Sequence, residues 1–238
     1  MAAAEEIFPY IYAIPGSYVN MFLLAEADGL TLIDSGLKGA DRKVWKAVKE
    51  VGRKPGELKH VLVTHHHADH CGALAAVKTA SQATTYIHPI DAPIMAGEQP
   101  RPRPNPGSIA GKVAGPLLTR LPANNPTPVT ADELVNDGDV LPMGGGICVI
   151  HTPGHTMGHV SFYLKGHGGI LFTGDAAAHM MGRLGKPALI FTEDMAAAKE
   201  SMRKLAALEF NTACFGHGSV LKGGANLAFR RYVEKMAQ

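Results

Sequence analysis

Leu62–Gly72 reads LVTHHHADHCG and places four histidines and an aspartate within six consecutive positions, His65 to His70. Imidazole and carboxylate groups taken out of water must be hydrogen-bonded or metal-bound, so a hydrophobic core has little use for such a run. A solvated polar loop, an adventitious histidine tract or a set of turn caps would use the same residue types. Read as H-x-H-x-D-H, however, the run supplies His65, His67, Asp69 and His70 in a pattern that points to a metal site.

Positions i and i+2 of an extended segment project to the same side, so His65 and His67, just past the apolar strand HVLVT, can grip one cation together. Asp69 and His70 fall where the next helix begins and aim at a second position, which suggests two metals. Two metals need further ligands, and the chain offers His155 after a Pro153-Gly154 turn, Asp175 at the end of LFTGD, and His217 between glycines in CFGHG. Each alone is a weak signal, because a lone His or Asp at a strand end is more often structural; their conjunction carries the argument.

The 238 residues are 46% hydrophobic and 18% charged with a formal net charge of +2, the profile of a folded globular protein and not of a polybasic nucleic-acid binder. We expect one domain over 1–238. Cys71, Cys148 and Cys214 are far apart, leave one unpaired in any disulfide scheme and fit a reducing cytoplasm. The start MAAAEEIFPYIY carries two glutamates where an export signal would be basic, and no apolar run is long enough to span a bilayer, so a cytoplasmic protein without membrane association is expected.

IFPYIYAIP, VNMFLLAE and LTLIDSG read as successive strands, and GADRKVWKAVKEVG sets Val44, Trp45, Val48 and Val51 on one helical stripe. HVLVT, a helix around CGALAAVKTA, and TTYIH follow. After Gly138 come the strands GICVIHTPG, HVSFYLKG and GILFTGD, a helix from about Asp194 to Leu208, and a final helix with Phe229, Tyr232, Val233 and Met236 on one face. Between these halves the segment 97–129 holds eight of the sixteen prolines and cannot be one regular element. Its Ile109, Val113, Leu117, Leu118 and Leu121 could form a lid; Arg101 and Arg103 could meet an anionic ligand or be solvated.

H-x-H-x-D-H, then PGHT, then GD at a strand end, then GHG, resembles the metallo-β-lactamase superfamily from Asp34 to His217. The resemblance implies an α/β fold, a four-layer αββα sandwich of two similar halves. It implies that His65, His67 and His155 hold one divalent cation, that Asp69, His70 and His217 hold a second, and that Asp175 bridges them. Two cations roughly 3.5 to 4 Å apart can share a water and acidify it towards neutrality, giving a hydroxide nucleophile. Asp69 would orient that hydroxide and shuttle its proton, as the catalytic carboxylate. Asp34 is similar to the family's acidic residue behind the ligands, and His159 and His179 could border the pocket. Zinc is the first expectation for the metal, with manganese or iron as alternatives, because imidazole and carboxylate suit several ions.

Departures from the branches narrow the expectation. True β-lactamases lack the bridging carboxylate and act outside the cytoplasm. Glyoxalase II proteins append a glutathione-binding helical region, whereas only a short tail follows His217 here. Nucleic-acid-processing members insert a domain or a basic arm. Acyl-homoserine lactonases carry a tyrosine where this chain has Ala178, and persulfide dioxygenases use a single iron. The expected activity is hydrolysis of a small ester or lactone. The alternatives are a phosphodiesterase or phosphotriesterase with the same two metals, an iron-dependent oxidoreductase, and a metal-binding protein without turnover. The expected partner is a small-molecule substrate, not nucleic acid; a homo-oligomer is left open.

Overall fold

The computed structural model describes residues 3–102 and 125–236, and these form two compact units, one of residues 3–101 and 125–135, the other essentially of residues 136–236. The first contains β1 (Glu5–Phe8), β2 (Ile11–Pro15), β3 (Asn20–Ala25), β4 (Leu30–Ile33), α1 (Asp41–Glu50), β5 (Leu58–Leu62), α2 (Ala68–Cys71), α3 (Leu74–Ser81), β6 (Thr84–Ile87), α4 (Ala92–Met95) and β7 (Glu133–Leu134). Its seven strands make one sheet in chain order. Pairing is antiparallel from β1 to β4 and parallel from β4 to β7. The change falls where helices first separate the strands, since a parallel return needs a crossover. Every residue of β4 is buried, as expected for a strand covered on both faces.

On α1, Val44, Ala47 and Val48 are buried, with Trp45 and Val51 packed at the margin of the same core. The single strand read from IFPYIYAIP is instead a hairpin of β1 and β2. Pro9 cannot donate to a ladder, Tyr10 adopts a left-handed conformation (φ 70°), and the chain reverses there. In the segment expected as a lid, Val129 N–H donates to Met95 O (3.1 Å), so the returning chain rejoins the end of α4. Residues 103–124, which include Arg103, Ile109, Val113, Leu117, Leu118 and Leu121, lie outside the described residues.

The second unit contains β8 (Val140–Leu141), β9 (Ile147–His151), β10 (Val160–Leu164), β11 (Ile170–Phe172), β12 (Ala178–Met180), β13 (Arg183–Gly185), α5 (Met195–Ala206), β14 (Thr212–Cys214), β15 (Leu221–Lys222) and α6 (Ala225–Met236). Six strands form a sheet in the order β15-β14-β11-β10-β9-β8, and β12 and β13 form a separate hairpin. Only β11 and β14 pair in parallel, across the crossover that contains α5. Asp194 caps α5 by accepting from Ala196 N (2.8 Å) and Ala197 N (3.0 Å). Phe229 of α6 is fully buried against Leu171, Met202, Leu205 and Phe210, with Tyr232, Val233 and Met236 packed on the same core. All three cysteines are free. Among the described residues no helix is long and apolar enough to cross a membrane.

Candidate metal centre

In the first unit the run from His65 to His70 inherits its shape from its neighbours. β4 is followed by Asp34, whose N–H donates to Leu62 O (2.9 Å), so the carboxylate is held beside the end of β5. Asp34 is 2% exposed and works on both of its oxygens. Oδ1 accepts from Thr64 N (2.8 Å), and Oδ2 accepts from Thr64 Oγ1 (2.9 Å) and His70 Nδ1 (2.7 Å). The chain stays extended to His67 (ψ 146°) and then turns into α2, with His70 N and Cys71 N both donating to His67 O (3.0 Å each).

These partners decide the tautomers. An ionised carboxylate only accepts, so the proton of His70 sits on Nδ1 and the lone pair on Nε2. Thr64 Oγ1 donates to Asp34 and therefore accepts from His65 Nδ1 (3.0 Å), which puts the His65 lone pair on Nε2 as well. His65 Nε2 lies 3.1 Å from His67 Nδ1. His70 Nε2 lies 3.8 Å from Asp69 Oδ2, on a carboxylate still 32% exposed. Ligands about 2.0–2.1 Å from a tetrahedral cation stand roughly 3.3–3.4 Å apart, so the His65–His67 separation is close to the edge of such a coordination shell.

His66, between His65 and His67, is buried (1% exposed). Asp91 Oδ2 accepts from its backbone N (2.9 Å) and pairs with its Nδ1 (3.0 Å). Its carbonyl accepts from Cys71 Sγ (3.1 Å) and from Arg101 Nη1. The Arg101 guanidinium clasps the back of the His65–His70 run, with Nη2 3.9 Å from Cys71 Sγ. Burial pushes the Cys71 thiol above its ordinary range, and the Arg101 charge only partly opposes this.

The second unit builds a complementary set. Gly154 (φ 131°) permits the turn before His155 and lies so close to α5 that a Cβ there would be 2.2 Å from Ala198 N. Gly154 O and His155 O accept from Asp194 N (2.9 Å) and Glu193 N (3.1 Å), which fastens the turn to the start of α5. Thr192 Oγ1 donates to Ala188 O (2.8 Å) and so accepts from His155 Nδ1 (3.5 Å), again leaving the lone pair on Nε2. Asp175 follows β11, and one of its oxygens, Oδ2, lies 3.3 Å from His155 Nε2 and 3.2 Å from His217 Nε2. Both distances again match the edge of a coordination shell. The loops carrying Asp175 and His217 are tied by Gly216 N donating to Gly174 O (3.0 Å).

His159 does not act as an open pocket residue. It is 0% exposed, and its Nε2 accepts from Asp175 N (2.9 Å). Its Nδ1 must then donate to Thr152 Oγ1 (2.8 Å), which donates to Ser161 Oγ (3.1 Å), which donates to Thr173 O (3.1 Å). This one-way chain passes beneath Asp175 through residues of, or next to, β9, β10 and β11. His179 sits on β12, 8% exposed, with Nδ1 against Ser219.

Thr64, Asp91, Thr152, Ser161 and Thr192 were not singled out from sequence. Thr64 and Thr192 are legible only once the histidine they orient is known, and Asp91 lies 25 residues from His66 with no periodic pattern joining them.

The metallo-beta-lactamase superfamily profile matches residues 14–217. The chain belongs to the metallo-β-lactamase superfamily. It is 32% identical to the probable metallo-hydrolase YflN of Bacillus subtilis over 229 residues, covering 90% of this chain and 85% of that protein. It is 35% identical to a hydroxyacylglutathione hydrolase of Rhodobacter capsulatus over 168 residues, covering 68% of this chain and 48% of that protein, so the match spans about half of that relative's length. Among solved structures, BJP-1, a subclass B3 metallo-β-lactamase of Bradyrhizobium japonicum, superposes with a TM-score of 0.73 at 18% identity, covering 99% of this chain and 92% of that one. The mixed α/β architecture is therefore the metallo-β-lactamase fold, and this superfamily member is a metal-dependent hydrolase whose histidines and aspartates cluster at spacings that suit a divalent cation.

Proposed function

We propose that this superfamily member is a binuclear hydrolase of a small ester or lactone. In this reading His65, His67 and His155 hold one divalent cation, zinc first, and Asp69, His70 and His217 hold the other. Asp175 is shared between them. The observation that carries the reading is Asp175 Oδ2, one carboxylate oxygen within 3.3 Å of His155 Nε2 and 3.2 Å of His217 Nε2. An oxygen set between two imidazole nitrogens suits a ligand shared by both cations. The donor set of imidazoles and carboxylates fits zinc, manganese or iron alike.

The two cations would supply Lewis acidity and a water acidified to near neutral pH. The chain's own residues do the rest. Asp34, Thr64 and Thr192 hold three ligand imidazoles with the proton on Nδ1, so each offers Nε2 without a ring flip. The Asp69 carboxylate, 32% exposed, would take a proton from the attacking water at one oxygen and return it to solvent or to the leaving oxygen. A carbonyl substrate is favoured over a phosphoryl one by the relative named hydroxyacylglutathione hydrolase, whose name specifies an acyl group.

The test is kcat/KM of the zinc- and manganese-loaded enzyme on a matched lactone, carboxylic ester, thioester and phosphodiester. A lead of orders of magnitude for the lactone or ester supports the reading. A lead for the phosphodiester or the thioester replaces its substrate class, and oxygen uptake with bound iron overturns hydrolysis itself.

A further inference from the structure

His217 sits in a loop, Phe215 to Ser219, outside any helix or strand, and its side chain is 28% exposed. A ligand in such a place needs something to fix it. Beyond the Gly216–Gly174 bond, one residue of the neighbouring hairpin closes the loop around the ligand position. His179 N donates to His217 O (3.2 Å), and Ser219 N donates back to His179 O (3.0 Å), so two backbone hydrogen bonds enclose Gly218. The side chain adds a third connection: His179 Nδ1 lies 2.9 Å from Ser219 O and 3.0 Å from Ser219 Oγ. A carbonyl oxygen only accepts, so Nδ1 carries the proton and donates.

The surroundings are built for this approach. Gly218 has φ 97°, and a Cβ on it would lie 2.0 Å from His179 O, so no larger residue lets the two strands of chain come together. The His179 ring stacks on Phe215 (centroids 5.5 Å, 30°), Phe215 stacks on Phe229 of α6 (6.2 Å, 13°), and Phe229 meets Phe210 edge to face (5.3 Å, 82°). The imidazole is thereby locked into the second unit's core, and its one-sided polar contact is aimed at the His217 loop.

We propose that His179 is a positioning residue for His217, acting through its Nδ1–H and Ser219, and that it sets the affinity of the second cation. The proposal rests on the reading that His217 holds that cation. It also gives the stretch from Asp175 to His179 two tasks: its first residue supplies the shared ligand and its last braces a ligand of the second metal, 3.2 Å away from Asp175. A buried histidine at this point is otherwise hard to account for, since an apolar ring would pack on Phe215 equally well.

The experiment measures zinc per chain, and the affinity of each equivalent, by competition with a chromophoric chelator for the wild type and for His179→Ala, His179→Asn, His179→Gln and Ser219→Ala. An asparagine amide can place its nitrogen near the Nδ1 position, and a glutamine amide near Nε2. The wild type should bind two equivalents. His179→Ala should bind the first normally and the second about 10–100-fold more weakly, the range for partners that orient metal ligands. His179→Asn should recover most of that loss, and His179→Gln should not. Ser219→Ala, which keeps the carbonyl, should show a smaller loss. Two equivalents of unchanged affinity in His179→Ala would overturn the proposal, as would rescue by Gln but not Asn, which would assign the role to Nε2. If the alanine variant does not fold, the Asn and Gln pair still decides. A wild type that binds fewer than two equivalents would sink the binuclear reading instead.

Discussion

Replacing Asp34 by asparagine removes one charge and one acceptor while leaving the shape unchanged, and the structure states what must follow. Asp34 accepts three hydrogen bonds from donors that cannot reverse roles without consequence: Thr64 N at Oδ1, and Thr64 Oγ1 and His70 Nδ1 at Oδ2. An asparagine has one oxygen. If it faces His70, its NH2 group opposes the buried Thr64 N–H, and a buried donor left unsatisfied costs about 1–3 kcal/mol. If it faces Thr64 N, the NH2 group opposes His70 Nδ1, and His70 can accommodate it only by moving its proton to Nε2, where it blocks metal binding. The second zinc should therefore bind about 10–100-fold more weakly, roughly 1.4–2.8 kcal/mol. The metal-free protein should also melt lower by roughly 2–12 °C, at about 2–4 °C per kcal/mol for a chain of this size. Chelator competition reads the first quantity and calorimetry of the stripped protein the second. If Asp34→Asn binds both equivalents within about threefold of wild type, a change of only roughly 0.6 kcal/mol, the tautomer argument is wrong.

Asp175→Ala should lower total metal content and turnover on every substrate, since it deletes the oxygen set between His155 and His217; a fully metallated, active variant would contradict the shared-ligand assignment. Stripping both metals from the wild type should lower its melting temperature, with recovery on adding zinc back, because a ligand bound only by the native state stabilises it; an unchanged melting curve would refute tight binding. Gly218→Ala forces a Cβ to within 2.0 Å of His179 O and should cost about 1–3 kcal/mol of stability or open the loop, which is read by denaturant titration. Burial raises the Asp132 carboxyl, but hydrogen bonds from Lys78 and Thr85 outweigh it and hold the group below the ordinary carboxylate range. Its contribution is therefore present above about pH 3.9 and is lost as pH falls through the lower folded value, so Asp132→Asn should flatten acid unfolding in that window; identical acid profiles would refute the pairing.

The elements that could be read from sequence are those whose period is carried by apolar residues. Val44 and Val48 mark α1, Phe229 marks α6, and the unbroken LTLI of β4 marks a strand buried on both faces. The β12–β13 hairpin went unread because AHM and RLG alternate nothing, and it forms through backbone bonds to the His217 loop as much as through its own pattern. The turn at Tyr10 was hidden because Pro9 sits in an otherwise continuous apolar run. The candidate ligands were legible because histidine and aspartate at short spacings have few structural uses. Their supports were not: a threonine hydroxyl or a distant carboxylate such as Asp91 has many uses, and only folding reveals which one applies.

The chain from Asp175 N through His159, Thr152 and Ser161 to Thr173 O ties the Asp175 backbone to the interior of a sheet. Loops around such a centre can be lengthened, shortened or exchanged without disturbing that anchor. Evolution, or an engineer, can therefore rewrite what this scaffold accepts while inheriting its chemistry intact, and the residues to leave untouched in such a redesign include the buried side chains of His159, Thr152 and Ser161.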